Sequence, residues 1–144
     1  MWKESLLAAA LTLTVVPLAS AETFEVKMLN KGEMGGMVFE PAYVKAQPGD
    51  TVVFLPTDKG HNAESIKGML PAGAESFKSA FNEEFSLTLE SEGFYGVKCT
   101  PHYALGMIAL IEVGTPQNAE EAQAVKHPGK AGKRFEAVFE KAGL

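Results

Sequence analysis

The chain has 144 residues, which fits one domain at the roughly 150 residues a domain takes. Hydrophobic residues at 46% and charged residues at 22% argue for a soluble globular protein and against a disordered chain, a collagen-like repeat or a coiled coil. A net charge of −5 does not support general nucleic-acid binding through a basic surface. The single cysteine excludes an intramolecular disulfide framework and a metal site built from cysteines alone.

The first 21 residues read as a secretory signal, with cleavage after Ala21. Lys3 precedes an apolar run from Leu6 to Val16, interrupted by Thr12 and Thr14. Pro17 ends the run, and Ala19-Ser20-Ala21 supplies the small residues a signal peptidase reads. Glu4 weakens the charged start. The run falls short of the about 20 residues that span a membrane core. The expected product is an exported, periplasmic domain, residues 22–144, with no membrane association. In an oxidising compartment a lone cysteine is buried and inert, paired between chains, or employed.

Strands follow. Phe24, Val26 and Met28 alternate with Glu25 and Lys27, as in a half-buried strand. Val38 to Gln47 reads as extended, with Pro41 at an edge or bulge. Pro48-Gly49-Asp50 is a turn, and Thr51 to Leu55 a short apolar strand. Thr57 to Asn82 is long and irregular, a kind of segment that is functional or hides short strands. Phe85, Leu87 and Leu89 alternate again. Gly93 turns the chain into Phe94–Cys99, which carries Tyr95, Val97 and Cys99 on one face. Ile108 to Val113 is apolar on both faces, as an interior strand is. Short strands with Gly/Pro punctuation predict an all-β sandwich.

The end is helical. Asn118 with Glu121 three residues on resembles a capping box, and His127-Pro128-Gly129 stops that helix. A second helix from about Lys130 bears Phe135, Val138, Phe139 and Ala142 on one stripe and ends at Gly143. Both are expected to cover one flank of the sandwich. His127, beside Pro128 and far from any soft ligand, is expected to face solvent.

Chemistry concentrates in Cys99-Thr100-Pro101-His102-Tyr103-Ala104-Leu105-Gly106-Met107. A thiol, an imidazole and a thioether occupy one tight loop between two strands. A second imidazole, His61, follows the strand ending near Leu55 and completes the set if the two loops share an end of the sandwich. Two imidazoles, a thiolate and a weak axial thioether form a blue-copper electron-transfer set. Zinc gains little from a thioether, so Met107 favours copper. Asn62 is placed to tie the His61 loop to the Cys99 loop. Pro101 lacks an N–H, leaving the Cys99 sulfur the single backbone bond expected from Asn62. His102, at the tip, is expected to reach the surface as the electron port.

Cys-x2-His-x4-Met, with an upstream His followed by Asn, resembles the cupredoxins, the type 1 blue copper proteins. Met28-Leu29-Asn30-Lys31-Gly32, Met37-Val38-Phe39-Glu40-Pro41-Ala42-Tyr43, Asp58-Lys59-Gly60-His61-Asn62 and Val97-Lys98-Cys99-Thr100-Pro101-His102-Tyr103-Ala104 carry the likeness, as do the two final helices. The resemblance implies a Greek-key β-sandwich of about eight strands with one copper ion on His61, Cys99, His102 and Met107. It also implies a non-enzymatic, monomeric carrier of single electrons serving nitrite reductase, another denitrification enzyme or a cytochrome. Lys59 and Lys98 flank ligands. By the resemblance Lys31 and Lys78 join them in a basic rim for an acidic partner.

Three other classes compete. A copper-delivery protein shares soft ligands but favours exposed Met- or His-rich tracts, and none is present. A cysteine hydrolase needs an oxyanion site, and no nucleophile motif surrounds Cys99. A structural zinc domain would stay colourless with copper.

Overall fold

Period-two alternation and turn residues divide the chain into short strands. In the computed structural model, which describes residues 12–16 and 19–144, these are β1 (Thr23–Gly32), β2 (Gly35–Glu40), β3 (Tyr43–Ala46), β4 (Thr51–Leu55), β5 (Glu64–Ser65), β6 (Phe85–Thr88), β7 (Gly93–Lys98) and β8 (Ile108–Val113). They form two four-stranded sheets, ordered β2-β1-β4-β6 and β3-β8-β7-β5. Helices α1 (Ala119–Ala124) and α2 (Ala131–Lys141) follow. This is the all-β sandwich with two C-terminal helices that the sequence predicts, with the eight strands that the resemblance implies.

Of the expected signal, Lys3, Glu4, the apolar run as far as Leu11, and Pro17 lie outside the described residues. Residues 12–16 and 19–22 form neither helix nor strand, and Leu13, Val15 and Val16 are exposed. No helix among the described residues is long and apolar enough to cross a membrane.

The sandwich interior is one apolar cluster. Val26 and Met28 of β1, Val52 and Phe54 of β4, Tyr95 and Val97 of β7, and Ala109 and Ile111 of β8 meet there, with Cys99 and Met107 in the same cluster. The alternate residues of β7 and β8 point the other way. Phe94, Ile108 and Leu110 pack against Phe135, Val138 and Phe139 of α2 in a second cluster, with Phe94 and Phe139 edge to face at 5.6 Å. The two-sided apolar character of β8 thus has a physical cause: one face meets the opposite sheet and the other meets a helix. Burying each α2 side chain contributes about 1.5–3 kcal/mol, so the helices are integral to the domain. At Gly96 the outer face admits no side chain, because a Cβ there would lie 2.6 Å from the Met69 sulfur.

Two elements differ from expectation. The extended stretch Val38–Gln47 is two strands in different sheets. The chain leaves β2 at Glu40, passes Pro41 and Ala42, and enters β3 in the other sheet, parallel to β8. Pro41 marks a sheet crossing between β2 and β3, both edge strands, so the edge alternative holds and the bulge does not. Asn118 precedes α1 but makes no capping bond. Its amide instead accepts from the Phe94 N–H at 2.8 Å and donates to the Phe94 carbonyl at 3.0 Å, satisfying the backbone of β7 where no strand covers it. Helix α1 ends at Ala124, where Val125 turns extended, and so stops before His127.

The turn before β4 is closed by Asp50. Its carboxylate accepts the Glu22 and Gln47 N–H groups, each at 2.8 Å, and these bonds hold its pKa below the usual value. A depressed folded pKa means stability that is present above the unfolded value of about 3.9 and is lost as pH falls through the folded one. Asp50→Asn is therefore expected to lower Tm at pH 7, with the gap to the parent closing on acidification. Thermal unfolding at several pH values checks this, and a pH-independent gap would mean that charge plays no part.

Candidate metal centre

The β7–β8 hairpin builds most of the site. Lys98 pairs with Ile108 as the last rung, and the Cys99 N–H donates to the Met107 carbonyl at 3.0 Å. Between them Thr100–Leu105 winds as a 3₁₀ turn that Gly106 ends at φ 93°. The Met107 N–H returns to the His102 carbonyl at 3.1 Å. The loop is thus cross-bonded to itself and brings Cys99, His102 and Met107 to one end of the sandwich. His61 arrives from the connection after β4, where Asp58 ties the chain to β1. Its N–H donates to the Met28 carbonyl at 3.0 Å, and its carboxylate accepts the Asn30 N–H at 2.7 Å.

The donors converge. The Cys99 Sγ lies 3.7 Å from Nδ1 of His61 and 3.6 Å from Nδ1 of His102. The two Nδ1 atoms are 3.1 Å apart. Among the described residues this is the group of His, Cys and carboxylate side chains close enough to share an ion. These separations suit donors around one ion with bonds of about 2.0–2.3 Å. Cys99, His61 and Met107 are fully buried, and His102 is half-buried.

Neighbouring bonds set the direction of each donor. Nε2 of His61 lies 2.8 Å from the Asn30 amide oxygen, which assigns the proton to Nε2 and turns the Nδ1 lone pair toward the sulfur. The Asn62 amide donates to Oγ1 of Thr100 and accepts its N–H, both at 2.8 Å, so the predicted tie between the loops runs through the side chain. Thr100 Oγ1 donates onward to Glu64 at 2.6 Å. Burial pushes the Cys99 thiol above its ordinary pKa, opposed by backbone N–H groups of both Asn62 and His102. The His102 N–H itself donates to the Cys99 carbonyl at 3.2 Å, across the turn that Thr100 begins. Burial likewise lowers the His61 pKa, and the neighbouring His102 adds to the effect.

The model of copper-binding proteins of the plastocyanin/azurin family matches residues 26–114. The chain belongs to that family. Over 139 residues it is 53% identical to the pseudoazurin of Paracoccus pantotrophus, covering 95% of this chain and 96% of that one. The refined crystal structure of pseudoazurin from Methylobacterium extorquens AM1 matches with a TM-score of 0.82 at 48% identity, covering 83% of this chain and 98% of that one. Pseudoazurin from Hyphomicrobium denitrificans gives 0.79 at 43% identity, covering 83% and 97%. The cupredoxin fold, copper as cofactor and the role of a type 1 copper electron-transfer protein follow from this membership.

Sequence reasoning missed Asn30, Arg134 and the setting of His127. Asn30 reads as an ordinary residue near a strand end, and only the β1–β4 pairing brings it to His61. His127 is not solvent-facing. It is half-buried, stacks on Phe135 with ring centroids 4.3 Å apart, and bonds through Nδ1 to the Tyr103 hydroxyl. The cause is the turn at Pro128-Gly129, which folds the chain back over the ligand loop.

Proposed function

We propose that the protein is a periplasmic carrier of single electrons whose copper is held by Nδ1 of His61, Sγ of Cys99, Nδ1 of His102 and the Met107 thioether. The observation that carries this reading is the convergence of two imidazole nitrogens on one buried thiol at 3.6 and 3.7 Å. Bound there, copper supplies a Cu(II)/Cu(I) couple. The chain supplies rigidity: Asn30 fixes the His61 ring, Asn62 fixes Thr100 beside Cys99, and the backbone of the ligand loop bonds to itself. Fixed ligands keep the rearrangement on electron transfer small. His102, half-buried among exposed Pro101, Ala104 and Leu105, is the port to a partner. Burial of the other ligands opposes metal release, which favours a carrier over a delivery protein.

Cleavage after Ala21 would place the new amino terminus of Glu22 at its Asp50 contact and leave a monomeric domain of residues 22–144. The test of function is the absorption spectrum and voltammetry of the copper-loaded protein. An intense thiolate-to-Cu(II) band and repeated redox cycling with the copper retained are expected. A colourless protein, or loss of copper on reduction, removes the reading.

The axial position has its own test. Met107→Gln is expected to lower the potential, because a harder oxygen donor favours Cu(II), and Met107→Leu to raise it. Voltammetry decides; one potential for all three proteins would make Met107 packing only.

The partner is expected to be an acidic-faced nitrite reductase, another denitrification enzyme or a cytochrome. The supporting features are Lys31, Lys59 and Lys98, each close in sequence to Asn30, His61 or Cys99, and Lys78, which forms a β-bridge with Glu64. Lys31, Lys59 and Lys78 are exposed. Lys98 is 3.9 Å from Glu64 and lies 5.0 Å over the Tyr103 ring, so its charge is partly neutralised. Replacing all four by Ala is expected to slow transfer to nitrite reductase about tenfold or more at low salt and to flatten the salt dependence. Lys98→Ala alone should have the smallest effect of the four. An undiminished salt dependence in the quadruple variant would place the steering charges elsewhere.

A further inference from the structure

We infer that Arg134 is a positioning residue of the metal centre, clamping Gly106, the residue before Met107, to the β1–β2 hairpin. Its Nη1 donates to the Gly106 carbonyl at 2.9 Å and the Met37 carbonyl at 2.8 Å, and its Nη2 donates to the Gly36 carbonyl at 2.9 Å. One planar guanidinium therefore joins the ligand loop to the hairpin, two segments otherwise distant in sequence. Both receiving segments are shaped for it. Met37 holds φ 52°, a left-handed conformation that residues with side chains seldom take, and it is the Met37 carbonyl that meets Nη1. Gly106 holds φ 93°, and a Cβ there would lie 2.6 Å from Cδ and 2.8 Å from Nε of Arg134, so the arginine occupies the space a side chain would need.

Arg134 does not act alone. The Lys130 N–H donates to the Ala104 carbonyl at 2.9 Å, and His127 bonds to Tyr103. The segment from His127 to Arg134 thus runs along the outside of the ligand loop and holds it at residues 103, 104 and 106. Of these contacts only Arg134 also reaches β1–β2, and only it holds the residue that leads directly into Met107. A lysine could keep the charge at this position but not span both segments, because it lacks the rigid fork of donors.

The inference rests on reading Met107 as the axial ligand, so the test has two readouts. Arg134→Lys and Arg134→Gln are prepared in metal-free and copper-loaded forms. In the metal-free protein, amide exchange at Gly106 and Met107 is expected to rise about tenfold or more, as loss of a charge-assisted bond implies, while the amides of Leu110 and Val138 are unchanged. In the copper-loaded protein, the relative intensities of the thiolate charge-transfer bands and the potential are expected to move in both variants. Unchanged exchange at Gly106 and Met107 overturns the clamp. So does loss of protection throughout α2 in both variants, which would make Arg134 a general helix anchor. Exchange that rises while spectrum and potential stay fixed also overturns the positioning role. The parent protein's own copper spectrum reports separately on the ligand assignment.

Discussion

Cys99→Ser is expected to be folded and colourless. The visible band of a type 1 site arises from thiolate donation to Cu(II), and a hydroxyl is a poor substitute for a thiolate. The fold survives for a reason of magnitude. Cys99 is fully buried, and a buried hydroxyl without partners costs about 1–3 kcal/mol. At this position Nδ1 of His61 and Nδ1 of His102, 3.7 and 3.6 Å from the sulfur, offer the serine hydroxyl a partner in the metal-free protein. The residual cost is small against a domain stability of about 5–15 kcal/mol. Far-UV circular dichroism and Tm should therefore lie near those of the metal-free parent. The copper-dependent rise in Tm should shrink or vanish, since stabilisation by a ligand follows its affinity. A blue or green colour retained by the serine protein would take Cys99 out of the site.

The candidate ligands were legible because their chemistry is rare and compact. A thiol, an imidazole and a thioether within nine residues carry a signal that does not depend on tertiary structure, and apolar β4 and β8 flank the loops that bear the four candidate ligands. What was not legible depends on distant pairing. Asn30 reaches His61 only because β1 lies parallel beside β4. Arg134 sits in a helix with Lys133, Glu136 and Lys141 and looks like one more solvated charge, yet it is the one whose face meets the ligand loop. Asn118 has the residue type and spacing of a cap, but the Phe94 backbone competes for its amide and wins. Local patterns name what a side chain could do; the packing of the opposite sheet and the C-terminal helices decides which bond it makes.

Pro101→Ala is expected to raise the potential. Pro101 is the second residue of the 3₁₀ turn, two after Cys99, where a backbone N–H could point back at the sulfur, and proline has none. Each bond to the sulfur withdraws electron density and favours the electron-rich Cu(I) state. A hydrogen bond to a charged group contributes about 1.5–3 kcal/mol. At about 59 mV per tenfold for one electron, that corresponds to about 65–130 mV if the bond acts wholly on the difference between the two states. The new N–H also bonds to the sulfur in the Cu(II) form, so only part of the bond acts on the difference between the two states. The rise is therefore expected toward the lower end, about 65 mV. The His102 N–H also donates to the Cys99 carbonyl at 3.2 Å, which holds the turn closed when the ring is removed and keeps the new N–H aimed inward. Voltammetry of both proteins at one pH, with the visible spectrum confirming intact ligands, measures the shift. An unchanged or lower potential in the alanine variant would show that the ring's missing donor does not set the electron affinity of the site.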